Sequence, residues 1–167
     1  MTRKAMASVS EMEAGSKTGL HKRISVTSIV VNTGRLICEV SVPDPSFRHT
    51  NSAIAQRLSA RFPSLKHHAC VNAVGRTFGF VMERTSMPHV LEHLAIELQT
   101  RATEDPRATF VGTTEWVDEA AGIARVQVSY LDDLQALRAL SEALDILNGI
   151  AQDVALCRYS VSGEVPL

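Results

Sequence analysis

The chain lacks the features that would point to a nucleotide, a nucleic acid or a membrane. It contains no G-x-x-x-x-G-K-[ST] or G-x-G-x-x-G element, so nothing local indicates a phosphate-binding loop. Its formal charge of −1 gives no basic excess for a nucleic acid. It has neither an apolar run of the roughly 20 residues that span a bilayer nor the apolar core of a signal peptide. We therefore expect a cytoplasmic protein with no nucleic-acid or membrane partner.

Cysteine and aromatic residues are also scarce. The chain has three cysteines, Cys38, Cys70 and Cys157, and their odd number and wide spacing argue against a disulfide framework. What it does have is a hydrophobic content of 45% over 167 residues, which is enough for one globular domain with its own core. We predict a disordered polar tail over residues 1–21, one domain over residues 22–152 and a short tail over residues 153–167.

Hydrophobic spacing predicts a mixture of strands and helices within that domain. A hairpin is expected from strands over residues 24–31 and 36–42, joined at Asn32-Thr33-Gly34. Further strands are expected near residues 78–82, 108–111 and 123–130. Helices are predicted over residues 50–62, 87–102 and 132–149. Because this order has no regular β-α-β rhythm, we predict an α+β fold, a single-domain sandwich in which about three helices cover a mostly antiparallel sheet.

Residues 89–93 are the most informative stretch, since His-Val-Leu-Glu-His matches the H-x-x-E-H pattern of inverted zinc hydrolases. On a helix, positions i and i+4 lie on one face, so His89 and His93 can bind one metal ion. Glu92 lies beside both and could take a proton from a water that the metal polarises. The alternative is that these are ordinary histidines with a nearby salt-bridged Glu92. Imidazole ligands favour Zn²⁺, although manganese, nickel or cobalt could occupy the same ligands.

A catalytic zinc normally has three protein ligands and one open position, and the pattern supplies only two. Five residues remain open as the third ligand: Glu97, Asp132, Asp133, His68 and Cys70. We expect Glu97 to orient His93 rather than to bind the metal. The His68-x-Cys70 spacing permits joint metal binding, but we favour a packed Cys70 and a loop-capping His68. Trp116 is expected in a loop with acidic neighbours, which would favour a basic, arginine-bearing ligand.

Three segments, residues 63–70, 79–84 and 88–99, together resemble the N-terminal domain of cyanophycin synthetases. That domain typically reads P-x-L-x-x-H-x-C, then a strand ending in E-R, then G-H-x-x-E-H-x-A-x-E-L-Q, and the similarity extends over roughly residues 24–150. The resemblance implies a metallopeptidase-like site in which His89 and His93 bind zinc and Glu92 is the general base. The implied substrate is a polymer with an Asp backbone and Arg branches. Because the chain is too short for the ATP-grasp and Mur-ligase-like modules of full synthetases, we expect a stand-alone domain.

Two positions depart from the family pattern. Ser129 replaces the acidic residue of a V-x-E-Y strand, and Thr113 replaces the Arg of a Gly-Arg-Thr turn. Three hypotheses follow. The first is a zinc-dependent hydrolase of a peptide or isopeptide, including cyanophycin. The second is a non-catalytic module that binds a polymer or a partner synthetase. The third is a structural protein with a closed, four-ligand metal site. A homodimer is plausible in each case.

Overall fold

The computed structural model describes residues 22–71 and 73–162, so the tail predicted for residues 1–21 lies outside the described residues. Seven main elements follow one another along the chain: β1 (Ser25–Asn32), β2 (Arg35–Ser41), α1 (Ser52–Arg61), α2 (Met87–Ala102), β3 (Gly112–Asp118), β4 (Ile123–Ser129) and α3 (Asp133–Ser162). The predicted α+β class, with an antiparallel sheet and three helices in one domain, is confirmed.

The four strands form one antiparallel sheet in the order β1-β2-β4-β3, which leaves β1 and β3 at its edges. The first hairpin turns where the sequence predicted, and Gly34 at its tip has φ 72°, a left-handed conformation that glycine adopts without steric cost. The side chains on one face of the two central strands are fully buried. They are Leu36, Cys38, Val40, Ala124, Val126 and Val128. Alternation therefore assigns this face to the core and leaves the other to solvent.

The helices cover the buried face of the sheet. α2 packs against β3, β4 and α3, and α3 also contacts α1. Both early helices begin at a capping side chain: Asn51 accepts a hydrogen bond from the Ile54 N–H, and Ser86 accepts one from the His89 N–H. Eleven of the 16 residues of α2 are buried, which makes it the central helix of the domain.

The strand predicted near residues 78–82 is wrong, because Phe78–Phe80 forms a short 3₁₀ turn. Hydrogen bonds from the Phe80 N–H to the Thr77 carbonyl and from the Val81 N–H to the Phe78 carbonyl close this turn. A Cβ on Gly79 would lie 2.8 Å from the Lys66 carbonyl oxygen, so glycine permits the close approach of the neighbouring loop. The apolar residues of this stretch therefore mark a turn rather than a strand, and of the three turn residues only Phe78 is buried.

The strand predicted near residues 108–111 is displaced along the chain, since β3 begins at Gly112. Trp116, expected in a loop, lies within β3 instead. Only alternate residues of this edge strand are partly buried, and its Gly-Thr-Thr-Glu sequence therefore resembled a turn. Edge strands need little apolar sequence, and this explains why the pattern missed β3.

The last helix was predicted to end near Gly149 but continues to Ser162, so the tail predicted from residue 153 is wrong over the described residues. Ile150, Ala151, Val154 and Ala155 are all buried, which extends the apolar face by another turn and a half. Asp132 precedes the first helical residue and caps the helix at the predicted start, because its Oδ1 accepts a hydrogen bond from the Gln135 N–H. Within the described part of the chain, no helix is long and apolar enough to cross a membrane.

Candidate metal centre

The first turns of α2 bring the two predicted histidines together. The Nε2 atoms of His89 and His93 lie 3.2 Å apart, as their i, i+4 spacing on one helix face requires. The Phe78 ring holds both imidazoles from one side. It stacks on His93 with ring centroids 4.1 Å apart and meets His89 edge-on at 5.3 Å. Phe78 is fully buried, so the imidazoles rest on a rigid apolar support.

Cys70 supplies a third donor from the loop that precedes α2. Its Sγ lies 3.5 Å from the His89 Nε2, and donor atoms of Cys70, His89 and His93 all lie within 4.8 Å of one another. Zn–N bonds of about 2.05 Å and Zn–S bonds of about 2.3 Å, arranged tetrahedrally, place two nitrogens about 3.3 Å apart and nitrogen and sulfur about 3.6 Å apart. The two separations that involve the His89 Nε2 fit these values, so this group could hold a metal ion.

Hydrogen bonds to the other ring nitrogens leave both Nε2 atoms available as ligands. The His89 Nδ1 lies 2.7 Å from the Thr85 hydroxyl, which can accept a hydrogen bond from the Nδ1–H. The Glu97 carboxylate can only accept, so the His68 Nε2, 2.8 Å away, donates to it. The His68 Nδ1 is then an acceptor for the His93 Nδ1–H at 3.4 Å. A neutral imidazole carries one proton, so each Nε2 keeps a lone pair that faces the site.

Burial keeps the two imidazoles uncharged. It lowers the pKa of His93 to about 3, with smaller contributions from His89 and His68, and it lowers the pKa of His89 as well. Burial opposes ionisation of Glu97, yet hydrogen bonds from Ser64, His68 and Arg101 bring its pKa below the usual value. The histidines are therefore neutral and Glu97 is charged near neutral pH, which is the combination that a metal site needs.

Glu92 lies on α2 between the two histidines and reaches toward β3. Its Oε2 accepts a hydrogen bond of 2.6 Å from the Thr114 hydroxyl, and the side chain is only 5% exposed. A Cβ on Gly112 would lie 2.5 Å from the Glu92 Cγ, so only glycine leaves room for the carboxylate there. Burial raises the pKa of Glu92, and the Thr114 hydrogen bond partly opposes this. A carboxylate with a raised pKa is a better proton acceptor near neutral pH.

A cavity of about 810 Å³ lies between α2, β3 and the loop that carries Cys70. Its walls include His68, Cys70, His89, Glu92 and His93 on one side and residues 108–116 on the other. This volume lies within the range of known small-molecule sites. The candidate ligands and the carboxylate therefore share one cavity that a substrate could enter.

The structure separates the residues proposed as the third ligand. Cys70 joins the two histidines, although we had favoured a packing role for it. The prediction that Glu97 contacts and orients His93 is wrong, since the Glu97 carboxylate contacts His68 instead. The Asp132 carboxylate is engaged at the start of α3. Asp133 is exposed in the first turn of that helix.

Neither departure from the family pattern removes a ligand from this cysteine–histidine group. The Ser129 hydroxyl accepts a hydrogen bond from the Val111 N–H and thereby anchors the start of β3. Thr113 is exposed and follows Gly112 on β3, so its side chain lies on the opposite face from that of Thr114, which contacts Glu92.

Several residues that build the site were not identified from the sequence. Phe78 was assigned to a strand, and no role in the site was assigned to Thr85 or Thr114. Phe78 and Thr114 act through contacts with α2 that are distant in sequence, whereas Thr85 lies only four residues before His89. The His-x-Cys spacing was the one local signal that could have identified Cys70.

A helix-borne His/His pair with a loop cysteine and a neighbouring carboxylate defines a small α+β domain with a candidate metal site. Comparison with known families specifies it further. The family described as the cyanophycin synthase-like N-terminal domain matches residues 46–152, and the chain belongs to this family. No curated protein matches the chain. The matched range contains every candidate ligand and Glu92.

Replacement of Glu97 tests the hydrogen-bonded support of His93. We predict that Glu97→Gln lowers the affinity for Zn²⁺, used as the test cation, by about tenfold, because a neutral amide no longer fixes the proton on the His68 Nε2. Competition with a chromophoric chelator measures this affinity. Glu104→Gln, at an exposed carboxylate beyond α2, is the matched control and should bind as the wild type does. Equal affinities in the two variants would contradict the role of Glu97.

The buried His93 also predicts how the metal-free protein responds to pH. The unfolded chain protonates this residue near pH 6.5, whereas the folded chain does so only near its pKa of about 3. The unfolded state therefore binds more protons between these values, and stability falls as the pH decreases. From pH 7 to 5.5 the wild type should lose about 1 kcal/mol more stability than His93→Gln. Urea unfolding with a chelator measures this, and equal losses would refute the assignment.

Proposed function

We propose that this domain is a zinc-dependent hydrolase that cleaves a peptide or isopeptide bond. The observation that carries the proposal is the convergence of Cys70, His89 and His93 in a cavity that also holds the Glu92 carboxylate. Three protein ligands leave one tetrahedral position open, which is typical of catalytic rather than structural zinc sites. The alternative of a closed, four-ligand site receives less support, because the His68 Nε2 is hydrogen-bonded to Glu97.

Zinc is the cation that these donors favour. A thiolate and two imidazoles form a mixed soft and borderline donor set, whereas magnesium, calcium and manganese prefer oxygen ligands. The two separations that involve the His89 Nε2 also match those of a tetrahedral site. Zinc readily adopts this tetrahedral arrangement, because its filled d shell imposes no other geometry.

Glu92 is the proposed general base. When bound, the zinc ion polarises a scissile carbonyl and lowers the pKa of a water molecule toward neutrality. Glu92 accepts the proton from that water and passes it to the departing amine. Thr114 binds one carboxylate oxygen and thereby fixes the orientation of the Glu92 side chain. Gly112 keeps the space that the carboxylate needs.

We propose a polymer with an Asp backbone and Arg branches as the substrate. Support comes from the family, whose description refers to cyanophycin, and from the lining of the cavity. Trp116 lines the cavity and offers an aromatic face on which a guanidinium group can stack. Glu115 also borders the cavity, although Arg125 pairs with its carboxylate at 2.9 Å. The aromatic residue therefore carries more of this argument than the charge does.

Substitution of Glu92 separates catalysis from metal binding. We predict that Glu92→Gln keeps stoichiometric zinc but hydrolyses the Asp/Arg polymer at least about 100-fold more slowly, because an amide cannot accept the proton. Release of Asp–Arg fragments, measured by chromatography, reports the rate, and elemental analysis reports the metal. Glu104→Gln is the control for loss of a carboxylate elsewhere and should retain full activity.

Two outcomes would contradict the proposal. Undiminished hydrolysis by Glu92→Gln would remove its role as base. A zinc-loaded wild type that binds the polymer without cleaving it would instead favour the second hypothesis, a non-catalytic binding module for a polymer or a partner synthetase.

A further inference from the structure

β3 borders the candidate site and has a free edge. It pairs with β4 on one side only, and it is the last strand of the sheet order. Residues 112–116 of this strand line the cavity that contains the metal ligands. The other edge strand, β1, does not line this cavity. Exposed edges are usually protected by lysine, proline, other charged side chains or bulges. β3 contains no lysine or proline. Its charged residues are Glu115, which pairs with Arg125, and Asp118, which follows an irregularity in the register after Trp116.

The direction of the β3 backbone groups follows from two hydrogen bonds. The Ser129 N–H donates to the Val111 carbonyl, which makes this the start of the β3–β4 ladder. The Tyr130 N–H donates to the Gly34 carbonyl, so the even-numbered residues of β4 face β2 and the odd-numbered ones face β3. Thr113 and Glu115 therefore pair with β4.

The backbone N–H and C=O groups of Gly112, Thr114 and Trp116 consequently point toward the free edge. Outside the strand ladders, no hydrogen bond within residues 22–71 and 73–162 takes up these groups. They are spaced two residues apart, which is the repeat of an added β-strand. The edge thus offers a regular row of donors and acceptors along one wall of the cavity.

The same strand is coupled to the reacting carboxylate. The Thr114 side chain binds Glu92, while its backbone faces the free edge. A chain laid along this edge would therefore pass beside Glu92 and beside the ligands His89 and His93, which share the cavity. β3 would then both hydrogen-bond the backbone of the bound chain and position its scissile bond beside Glu92.

We propose that the free edge of β3 binds the substrate as an extended polypeptide, which adds a fifth strand through the backbone groups of Gly112, Thr114 and Trp116. This inference rests on the proposed function for the cleavage of that chain, but the binding itself requires no hydrolysis. Main-chain hydrogen bonds supply the affinity, so recognition depends on the backbone more than on side chains. A poly-aspartate backbone meets this requirement.

Amide hydrogen exchange tests the proposal on the full-length, zinc-loaded Glu92→Gln chain. The probe is a synthetic oligomer of five aspartates, each carrying an arginine on its side-chain carboxyl. At saturation, the amides of Gly112, Thr114 and Trp116 should exchange about tenfold more slowly, because they become hydrogen-bonded. The amides of Thr113 and Glu115 are internal controls. They are already bonded to β4, so their rates should not change.

Three results would overturn the proposal: a probe that does not bind, equal slowing of all five amides, or slow exchange of the outward-facing amides before the probe is added. A second probe, N-methylated at every backbone amide, should lose binding, and unchanged binding would contradict the added strand. Hydrolysis by the wild type without selective protection would leave the proposed function intact and remove this inference. Selective protection without hydrolysis by the wild type would support this inference and contradict the proposed function.

Discussion

Two unprotonated imidazole nitrogens that face one another at 3.2 Å are the constraint on which the site depends. Two lone pairs at this distance repel, and a cation between them turns repulsion into coordination. Neither nitrogen can relieve the repulsion by charging, because burial lowers the pKa of both histidines. The Thr85 hydroxyl can accept a hydrogen bond from the His89 Nδ1–H, and His68 can accept one from the His93 Nδ1–H, which leaves both Nε2 lone pairs facing the site. The fold therefore presents a preformed pair of ligands to a metal ion.

α2 connects this constraint to the rest of the domain. One part of its surface packs on β4 and α3, while its first turns carry the histidines and Glu92 toward β3. The close approach of β3 requires Gly112, and the approach of the loop beneath the imidazoles requires Gly79. These two glycines permit contacts that larger residues would block. Packing of the core and placement of the site thus follow from the same helix.

The sequence predicted α2 fully, because local signals define it. Ser86 caps it, Pro88 suits its first turn, and the apolar spacing continues to Ala102. The His/Glu/His arrangement follows from helical spacing alone. The same local information placed the first hairpin, since its turn has glycine at the left-handed position.

The parts that the sequence did not predict depend on contacts between distant residues. Cys70 becomes a candidate ligand because its loop folds back over α2, so the His68-x-Cys70 spacing suggested metal binding without showing which histidines Cys70 would join. Glu97 lies one turn beyond His93 on the helix, yet its carboxylate finds His68 from the loop instead. β3 escaped prediction because an edge strand needs few apolar residues, and its position is set by pairing with β4.

The central claim is that Cys70, His89 and His93 form one metal site. X-ray absorption at the zinc edge, on full-length protein loaded with one equivalent of zinc, tests it most directly. We predict one sulfur ligand at about 2.3 Å with nitrogen or oxygen ligands at about 2.0–2.1 Å, and loss of the sulfur in Cys70→Ser. A spectrum without sulfur in the wild type, or a protein that does not retain zinc, would contradict it.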